Sequence, residues 1–591
     1  MLKRLQALDS RVRRKGLKSL DPARGALIPI GMEIERGRVV KNSYGVFNLA
    51  WQAEDHPEWP QMIEREIAEI RESIAAVQRV PLKFVIWAGM GGSAEDKAMY
   101  NAVGLLRRGP KLYVLDSTDP EKLDAILADI RKRSGLPMRE CWKRTVVVAM
   151  AMGMTSFEPV LNLERIAAAY DSARLDSRPN IAYMTLTGSL LDRFASARGY
   201  RRISLQPDDA NTTAGRHSGP MTRGSLYPLA LAGVDLESWI RGAMLSPEQI
   251  ATAWRLASFL HVQGLAGRDK VTLLLPRAWN GSAIWTKQDF EESLGKAGNI
   301  AVKIVIGERV RMTNYKPPRD AHQDRLFLAI QFKGEPMEKA ALIRRAGYPM
   351  ATLTLPAGTP LSAYMQFIHY CVFGMAWLRN LNFVTQPNVE LYKSIAGRLY
   401  AEAQRAGGIA KTKEWRRYRE SRRSAVWRGR VTLCWEYLDE DPSAATAPAI
   451  YASLLRQLSS NGRIDYGELT FFGDTRYSPR GRALRTVLDH AAERVFRAGL
   501  KMPVDVYEGP AMNHSYHEMI IGSGKCFSTI LFASPDDVPD YHGAQFLATQ
   551  IALAERGRAV VSITLRDLES ATLAALEEFF RQAATHVKAR N

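Results

Sequence analysis

Cysteine is scarce in this chain. Cys141, Cys371, Cys434 and Cys526 are the only four in 591 residues. They lie far apart and form no CxxC pair, so neither a zinc ribbon nor a disulfide framework is expected, and the reading is a reducing compartment. Long apolar runs are also missing. The nearest, 365–378 (MQFIHYCVFGMAWL), is interrupted by Gln366 and His369 and falls short of the roughly 18 residues of a membrane-spanning helix. The first residues carry Lys3, Arg4, Arg11, Arg13, Arg14 and Lys15 but no apolar core of a secretory signal, and Asp9 and Asp21 count against a transit peptide. The expectation is a solvated first helix in a cytoplasmic protein with no membrane association. No short-period repeat or low-complexity tract is present, which excludes a solenoid or a propeller.

Positive charge is what the chain has in excess. Lys and Arg number 81 against 62 Asp and Glu, a formal net charge of +19. Apolar residues make up 46% and charged residues 24%, the balance of a globular chain rather than a disordered or fibrous one. At roughly 150 residues per domain, the length suggests three or four domains, each able to bury its own core.

Short β-branched runs alternate with segments of helical period. The first set comprises Phe84–Ala88 (FVIWA), 112–115 (LYVL), Thr145–Ala151 (TVVVAMA) and 181–186 (IAYMTL). The second comprises 271–275 (VTLLL), 302–306 (VKIVI), 326–330 (LFLAI) and 351–355 (ATLTL). Continuous rather than alternating apolar strands predict burial on both faces of parallel sheets, and strand–helix alternation predicts stacked α/β layers. A helical stretch at 247–264 separates the two sets. After Tyr400 the composition shifts. Residues 405–430 hold ten Lys/Arg against two Glu, interleaved with Trp415, Tyr418 and Trp427, and 405–423 reads as a connector. A further α/β series follows at 431–435, 469–472, 504–507, 529–532 and 560–564.

The first chemical signal is Gly89-Met90-Gly91-Gly92-Ser93, directly after the FVIWA strand and before a helical pattern at 95–106. A glycine-rich turn from strand to helix lets backbone N–H groups approach an anion. No Gly-Lys-Ser/Thr follows, and the third glycine of a dinucleotide fingerprint is absent. By itself the turn is equally well explained by tight packing.

Three more segments follow in order. They are Gly215-Arg216-His217-Ser218 ahead of 225–235 (SLYPLALAGVD), Gln288-Asp289-Phe290-Glu291-Glu292-Ser293-Leu294-Gly295-Lys296, and Gln386-Pro387-Asn388-Val389-Glu390-Leu391-Tyr392-Lys393. Together with the Gly-Gly-Ser turn they resemble phosphoglucose isomerase, over roughly residues 83–400. Its patterns are Gly-Gly-Ser, Gly-Arg-aromatic-Ser, Gln-x-x-x-Glu-Ser-x-Gly-Lys and Asp-Gln-x-x-Val-Glu-x-x-Lys. The remainder is similar to the isomerase half of transaldolase–phosphoglucose isomerase fusion proteins, with no transaldolase portion. The resemblance implies an α/β fold with two SIS (sugar isomerase) α/β/α sandwiches on parallel five-stranded sheets, plus a third C-terminal α/β unit. The divisions expected are an N-terminal helical segment (1–80), a first SIS domain (81–255), a second SIS domain (256–404), and a basic connector with the C-terminal unit (405–591).

The activity implied is interconversion of glucose 6-phosphate and fructose 6-phosphate through a cis-enediolate, in glycolysis and gluconeogenesis, with no metal or organic cofactor and as a homodimer. Such chemistry needs a base to move a proton between C2 and C1, and a cation to hold the enediolate charge. It also needs a group to open the sugar ring and contacts for the phosphate. By resemblance Glu292 aligns with the base, Arg216 with the enediolate stabiliser, and Lys393 with the lysine near the ring oxygen and phosphate. Gly92, Ser93, Thr155, Ser156, Gly215, Gln288 and Gln386 align with substrate contacts. Taken singly, Glu292 would be a solvated helix glutamate, Arg216 one of many arginines, and Lys393 a surface lysine.

Two segments depart from the family. Its phosphate loop reads Ser-Lys-Ser/Thr-x-Thr-Thr-x-Glu, whereas residues 151–158 read Ala-Met-Gly-Met-Thr-Ser-Phe-Glu. Ala151 and Met152 therefore replace a serine and a lysine that would hold an anion. The family's ring-opening histidine has Asp324-Arg325 as its counterpart. Arginine keeps its proton, which leaves His322, His514 or neither for that role. In the fusion relatives His514-Ser515 begins a longer motif whose second histidine and lysine are Ile520 and Ile521 here. Three rival readings follow: a catalytically degenerate SIS protein that binds sugar phosphate, an isomerase for another and perhaps unphosphorylated sugar, and a nucleic-acid binder that uses the basic 405–430 segment. The last is the least favoured, because a solvated cationic helix explains the same residues.

Overall fold

A computed structural model describes residues 1–7, 31–35, 38–42, 49–50, 52–209, 219–296 and 302–588. The Gly215–Arg216 motif lies outside the described residues. A short antiparallel ribbon of β1 (Met32–Glu35) and β2 (Arg38–Asn42) precedes the first large sheet. That sheet contains β3 (Phe84–Ala88), β4 (Lys111–Leu115), β5 (Thr145–Ala151), β6 (Ile181–Thr185) and β7 (Arg201–Ile203) in the order β4-β3-β5-β6-β7. Every pairing in it is parallel. β3, β5 and β6 are buried along their whole length, as uninterrupted apolar strands require when both faces are covered.

The second sheet has the order β11-β10-β8-β9, from β8 (Lys270–Leu274), β9 (Lys303–Val305), β10 (Arg325–Phe332) and β11 (Met350–Leu355). β10 and β11 run parallel. Among the described residues this sheet has four strands where the resemblance implies five. The third sheet is built from β12 (Ser424–Trp427), β13 (Val431–Cys434), β14 (Tyr466–Phe472), β15 (Val504–Gly509), β16 (Cys526–Ala533) and β17 (Ala559–Leu565), ordered β12-β13-β17-β16-β14-β15. Its last four members are parallel, and β12 and β13 are added antiparallel at one edge. The architecture is thus α/β with parallel sheets.

The chain separates into two compact units. The first comprises Met1–Asp116, Leu127–Ile304 and Leu326–Gln386; the second comprises Ser117–Ile126, Val305–Arg325 and Pro387–Asn591. In the first unit α1 (Trp59–Gln78) buries Ile63, Ile67, Ile70 and Ile74 at helical spacing. The helices that carry sequence motifs are α2 (Glu95–Ala102), α3 (Glu158–Ser172) and α4 (Arg223–Leu231). With them go α5 (Pro247–Leu265), α6 (Ala283–Leu294) and α7 (Leu361–Arg379). A capping box starts α5: Gln249 N donates to Ser246 Oγ (3.3 Å) while Ser246 N donates to Gln249 Oε1 (2.8 Å). The apolar 365–378 stretch lies inside α7, which is buried on nearly every side by protein. No described helix is long and apolar enough to cross a membrane.

Helices of the second unit include α8 (Pro387–Ala406), α9 (Lys413–Arg419), α10 (Pro479–Ala491), α11 (His517–Gly522), α12 (Asp540–Glu555) and α13 (Ser570–Lys588), with a further helix at Ala447–Ser460. The core spans β13 to β17 together with the Ala447–Ser460 helix, α10 and α13. The basic 405–430 segment is held by its aromatic side chains: Trp427 packs against this core, and the other two pack on α12. Trp415 and Tyr418 are 3% and 5% exposed and meet Phe546 edge-on. Arg417 and Arg419 pair with Glu436 (3.1 Å) and Asp536 (2.7 Å). Two of the three aromatic side chains are therefore core residues and offer no surface on which bases could stack.

Candidate active site

β3 ends at Ala88, and the chain turns through a single 3-10 turn, Gly91–Ser93, into α2. Two glycines are required by geometry. Gly91 has φ +53°, and a Cβ at Gly89 would lie 2.6 Å from Ser93 Oγ. The Ser93 hydroxyl closes the turn: it accepts from Met90 N (2.8 Å) and donates to Met90 O (2.9 Å), while Trp87 Nε1 donates to Ser93 O (2.9 Å). Gly92 and Ser93 are both buried.

Behind this turn sits an ion pair that sequence reasoning passed over. Lys97 Nζ lies 2.8 Å from Asp96 Oδ1, with both side chains wholly buried. Ser225 Oγ, from the first turn of α4, donates to Asp96 Oδ2 (2.9 Å). Lys97 Nζ also sits 4.6 Å above the Trp87 ring. Burial pushes the Asp96 carboxyl up and the Lys97 ammonium down, each against the pull of the other. Charges at positions 95–97 look like a solvated first turn in the sequence, and nothing local marks them as interior.

α2 packs against α6, and α7 packs on α6 as well. Residues Trp285 to Leu294 of α6 are all buried, so the Gln-x-x-x-Glu-Ser motif is interior around the whole helix. Its polar side chains are matched individually. Thr286 Oγ1 and Tyr364 OH are hydrogen-bonded (2.7 Å), and Asp289 Oδ2 lies 3.2 Å from His369 Nδ1. Glu291 receives Lys287, Lys303 Nζ (3.2 Å) and the backbone N–H of Ile304 (2.8 Å). Glu292, one position on, takes a hydrogen bond from the Gln288 side-chain amide, and its backbone carbonyl accepts from Lys296 Nζ (2.8 Å). Two adjacent carboxylates are thus buried side by side: Glu291 is tied to two lysines, and Glu292 accepts from the Gln288 amide.

Between β5 and α3 the loop carries no charged side chain. Met152 and Ser156 are half-buried, Met154 and Thr155 are exposed, and Glu158 is buried at the first turn of α3. The Thr155 and Ser156 hydroxyls and the backbone N–H groups are what this loop offers an anion.

In the second unit, Lys393 projects from α8 and pairs with Glu390 one turn earlier (2.8 Å), with 17% of its side chain exposed. Half-buried Gln386, at the end of the first unit, immediately precedes that helix. The N-terminus of α8 is capped from far along the chain. The Glu518 carboxylate accepts from the backbone N–H groups of Asn388 and Val389 and from Asn388 Nδ2, all at 3.0 Å. A carboxylate at a helix N-terminus satisfies orphan donors and complements the helix dipole. His514 meets the Tyr392 ring edge-on (5.9 Å between centroids). His517 Nε2 lies 2.7 Å from Glu468 Oε1, which also accepts from Thr470 Oγ1 (2.6 Å), while Ser528 Oγ donates to Glu468 Oε2 (2.9 Å). The His514–Ser523 run is therefore a buried support for the helix that carries Lys393. Of the two histidines considered for ring opening, His322 is exposed and His514 is buried. Arg325 is buried in a paired contact to Glu308 (2.7 and 3.2 Å).

With this geometry in hand the chain can be set beside known proteins. No family model matches it. A glucose-6-phosphate isomerase of Trichormus variabilis is 29% identical over 249 residues, 40% of this chain and 44% of that protein. Another, of Carboxydothermus hydrogenoformans, is 26% identical over 282 residues, 45% of this chain and 56% of that protein. The chain thus spans about half the length of these curated relatives. The crystal structure of a glucose-6-phosphate isomerase from Chlamydia trachomatis superposes with a TM-score of 0.51 at 16% identity, over 70% of this chain and 87% of that one. The chain is thus similar in sequence to part of the glucose-6-phosphate isomerases, and its α/β fold is that of the solved isomerase. In this phosphoglucose-isomerase-like protein the Gly-Gly-Ser turn and the Gln288–Glu292 pair lie on elements of the first unit. Lys393 belongs to the second unit, together with the C-terminal sheet that supports its helix.

Proposed function

We propose that the protein is a sugar-phosphate isomerase that interconverts glucose 6-phosphate and fructose 6-phosphate. The observation that carries this reading is the Glu292 carboxylate, fully buried on α6 and hydrogen-bonded by the Gln288 amide, next to a Glu291 whose charge is matched by two lysines. In the proposed step Glu292 takes the proton from C2 of the open-chain aldose. The C2–H electron pair becomes the C1–C2 double bond, and the carbonyl oxygen on C1 takes up the negative charge. The Arg216 guanidinium holds that enediolate; the O2 hydroxyl proton passes to O1, the electron pair left on O2 forms the ketose carbonyl at C2, and the Glu292 carboxyl returns its proton to C1. Lys393 serves the ring oxygen and the phosphate end. Gly92, Ser93, Thr155, Ser156, Gly215, Gln288 and Gln386 are the substrate contacts. The route uses only side chains and backbone. The same reading carries the two SIS domains at 81–255 and 256–404, a homodimer, and a place in glycolysis and gluconeogenesis.

The test is turnover of fructose 6-phosphate, coupled through glucose-6-phosphate dehydrogenase to nicotinamide reduction, with Glu292→Gln as control. A second reading draws on the uncharged 151–157 loop: a sugar-phosphate-binding protein that has lost catalysis. It predicts saturable binding of fructose 6-phosphate with no signal above the control. An isomerase for a neutral sugar would instead prefer unphosphorylated substrates in a panel.

A further inference from the structure

The N-terminal edge of the first sheet holds a cavity of about 810 Å³, within the range of small-molecule sites. Lys83 immediately precedes β3 and Pro110 immediately precedes β4. The cavity thus lies at the opposite end of the strands from the Gly-Gly-Ser turn, roughly 16 Å away along the five-residue β3. Four cations line it, Arg71, Lys83, Arg108 and Arg133, against one carboxylate, Glu72. Two of them are fixed in place: Arg71 Nη2 donates to Leu231 O (2.8 Å), and Arg133 Nε bonds Asp129 (2.6 Å). Lys83 and Arg108 make no ion pair among the described residues. Leu82, Phe84 and Leu231 supply apolar wall. Close backbone approach shapes the rim, since a Cβ at Gly109 would lie 2.5 Å from Ala232 Cα. Nearby, the Lys111 ammonium is pushed down chiefly by burial, with Arg133 adding to that and Asp129 opposing it.

We propose that this cavity is a second ligand site, separate from the candidate active site, which binds a small molecule bearing a diphosphate group. With Arg133 matched by Asp129, the cations Arg71, Lys83 and Arg108 less Glu72 leave a charge of about +2, which a diphosphate more than balances, and the planar guanidinium groups of Arg71 and Arg108 suit phosphate oxygens. The apolar wall accommodates a compact organic body attached to the diphosphate. The concave shape favours a small molecule over a polynucleotide strand.

The test is calorimetric titration of the full chain with inorganic pyrophosphate and with adenosine 5′-diphosphate. Saturable one-to-one binding is expected, weakening with added salt. Lys83→Gln/Arg108→Gln, at exposed positions, is expected to lower affinity tenfold or more through the loss of two charge-assisted contacts. Thr155→Ala/Ser156→Ala is expected to leave it within twofold. The proposal is overturned by absence of saturable binding up to about 10 mM, or by an unchanged affinity in the Lys83/Arg108 variant. It is also overturned by an equal loss in the Thr155/Ser156 variant, which would place the ion at the candidate active site, or by displacement of the diphosphate by a polynucleotide at matched phosphate concentration. As a guard against misfolding, pyrophosphate should raise the thermal midpoint of the wild type and not that of the double variant.

Discussion

Glu518→Gln is the sharpest test of how the C-terminal unit serves the rest of the chain. The carboxylate is fully buried and accepts three hydrogen bonds at 3.0 Å, two of them from the first backbone N–H groups of α8. Glutamine keeps one oxygen and replaces the other with an NH₂ that points at a donor. With the oxygen kept toward the two backbone N–H groups, two charged hydrogen bonds become neutral and the new NH₂ is left facing Asn388 Nδ2. At about 1.5–3 kcal/mol for a charged bond and about 1–3 kcal/mol for an unsatisfied buried group, less what is regained by not burying a charge, the net loss is about 3 kcal/mol. A urea denaturation curve followed by far-UV dichroism should show the midpoint of the second unit fall by roughly 1 M. Hydrogen exchange at the amides of Asn388 and Val389 should accelerate, while exchange in β14 and β16 changes only with global stability. Glu555→Gln, an exposed position on α12, is the control and should stay within about 0.5 kcal/mol. A loss below about 0.5 kcal/mol in Glu518→Gln, with exchange at Asn388 and Val389 unchanged, would refute the capping argument.

Other outcomes follow from the same coordinates. Lys97→Met leaves Asp96 buried and unpaired and should cost about 3–5 kcal/mol, whereas Asp96→Leu/Lys97→Met should recover most of that; equal losses in both urea curves would contradict the buried-pair reading. The pH dependence turns on Glu468: burial raises its carboxyl, but the His517 charge and the hydrogen bonds from His517, Thr470 and Ser528 outweigh that and hold it below its ordinary 4.5. Its ionised form therefore stabilises the fold above pH 4.5, and the contribution is lost as pH falls through the lowered value. Glu468→Gln should be less stable at neutral pH and lose less on acidification below 4.5; parallel pH profiles would count against this. Gly89→Ala drives a methyl to 2.6 Å from Ser93 Oγ and should cost about 1–3 kcal/mol while weakening sugar-phosphate binding, with unchanged melting and binding as the contrary result.

Much of the fold was legible because strands buried on both faces are written as uninterrupted apolar runs. Phe84–Ala88 and Thr145–Ala151 are strands over the same bounds in sequence and structure. Pro247 opens α5 behind a Ser–Gln capping box that any reader can find. Edges were less visible. Ser424–Trp427 sits among arginines, and its strand pairing with Val431–Cys434 depends on β17, which lies more than 120 residues further on. Trp415 and Tyr418 looked like surface aromatics in a basic helix, but i, i+3 spacing also describes one inward-facing stripe, and that is how they are used. The candidate site divides along the same line. The motif residues could be located by order and spacing, but their surroundings could not. Asp96, Lys97, Glu468 and Glu518 are charged residues whose burial depends on partners supplied by the fold. For Glu518 those partners are 130 residues away, and no local pattern encodes that.

The central claim concerns one carboxylate. Steady-state turnover of fructose 6-phosphate by the wild type and by Glu292→Gln, in the dehydrogenase-coupled assay, tests it most directly. The account predicts measurable wild-type isomerisation and a fall in kcat of about 10²- to 10⁴-fold in the variant, with fructose 6-phosphate still bound and the urea midpoint little changed. Equal turnover by the two proteins would contradict it.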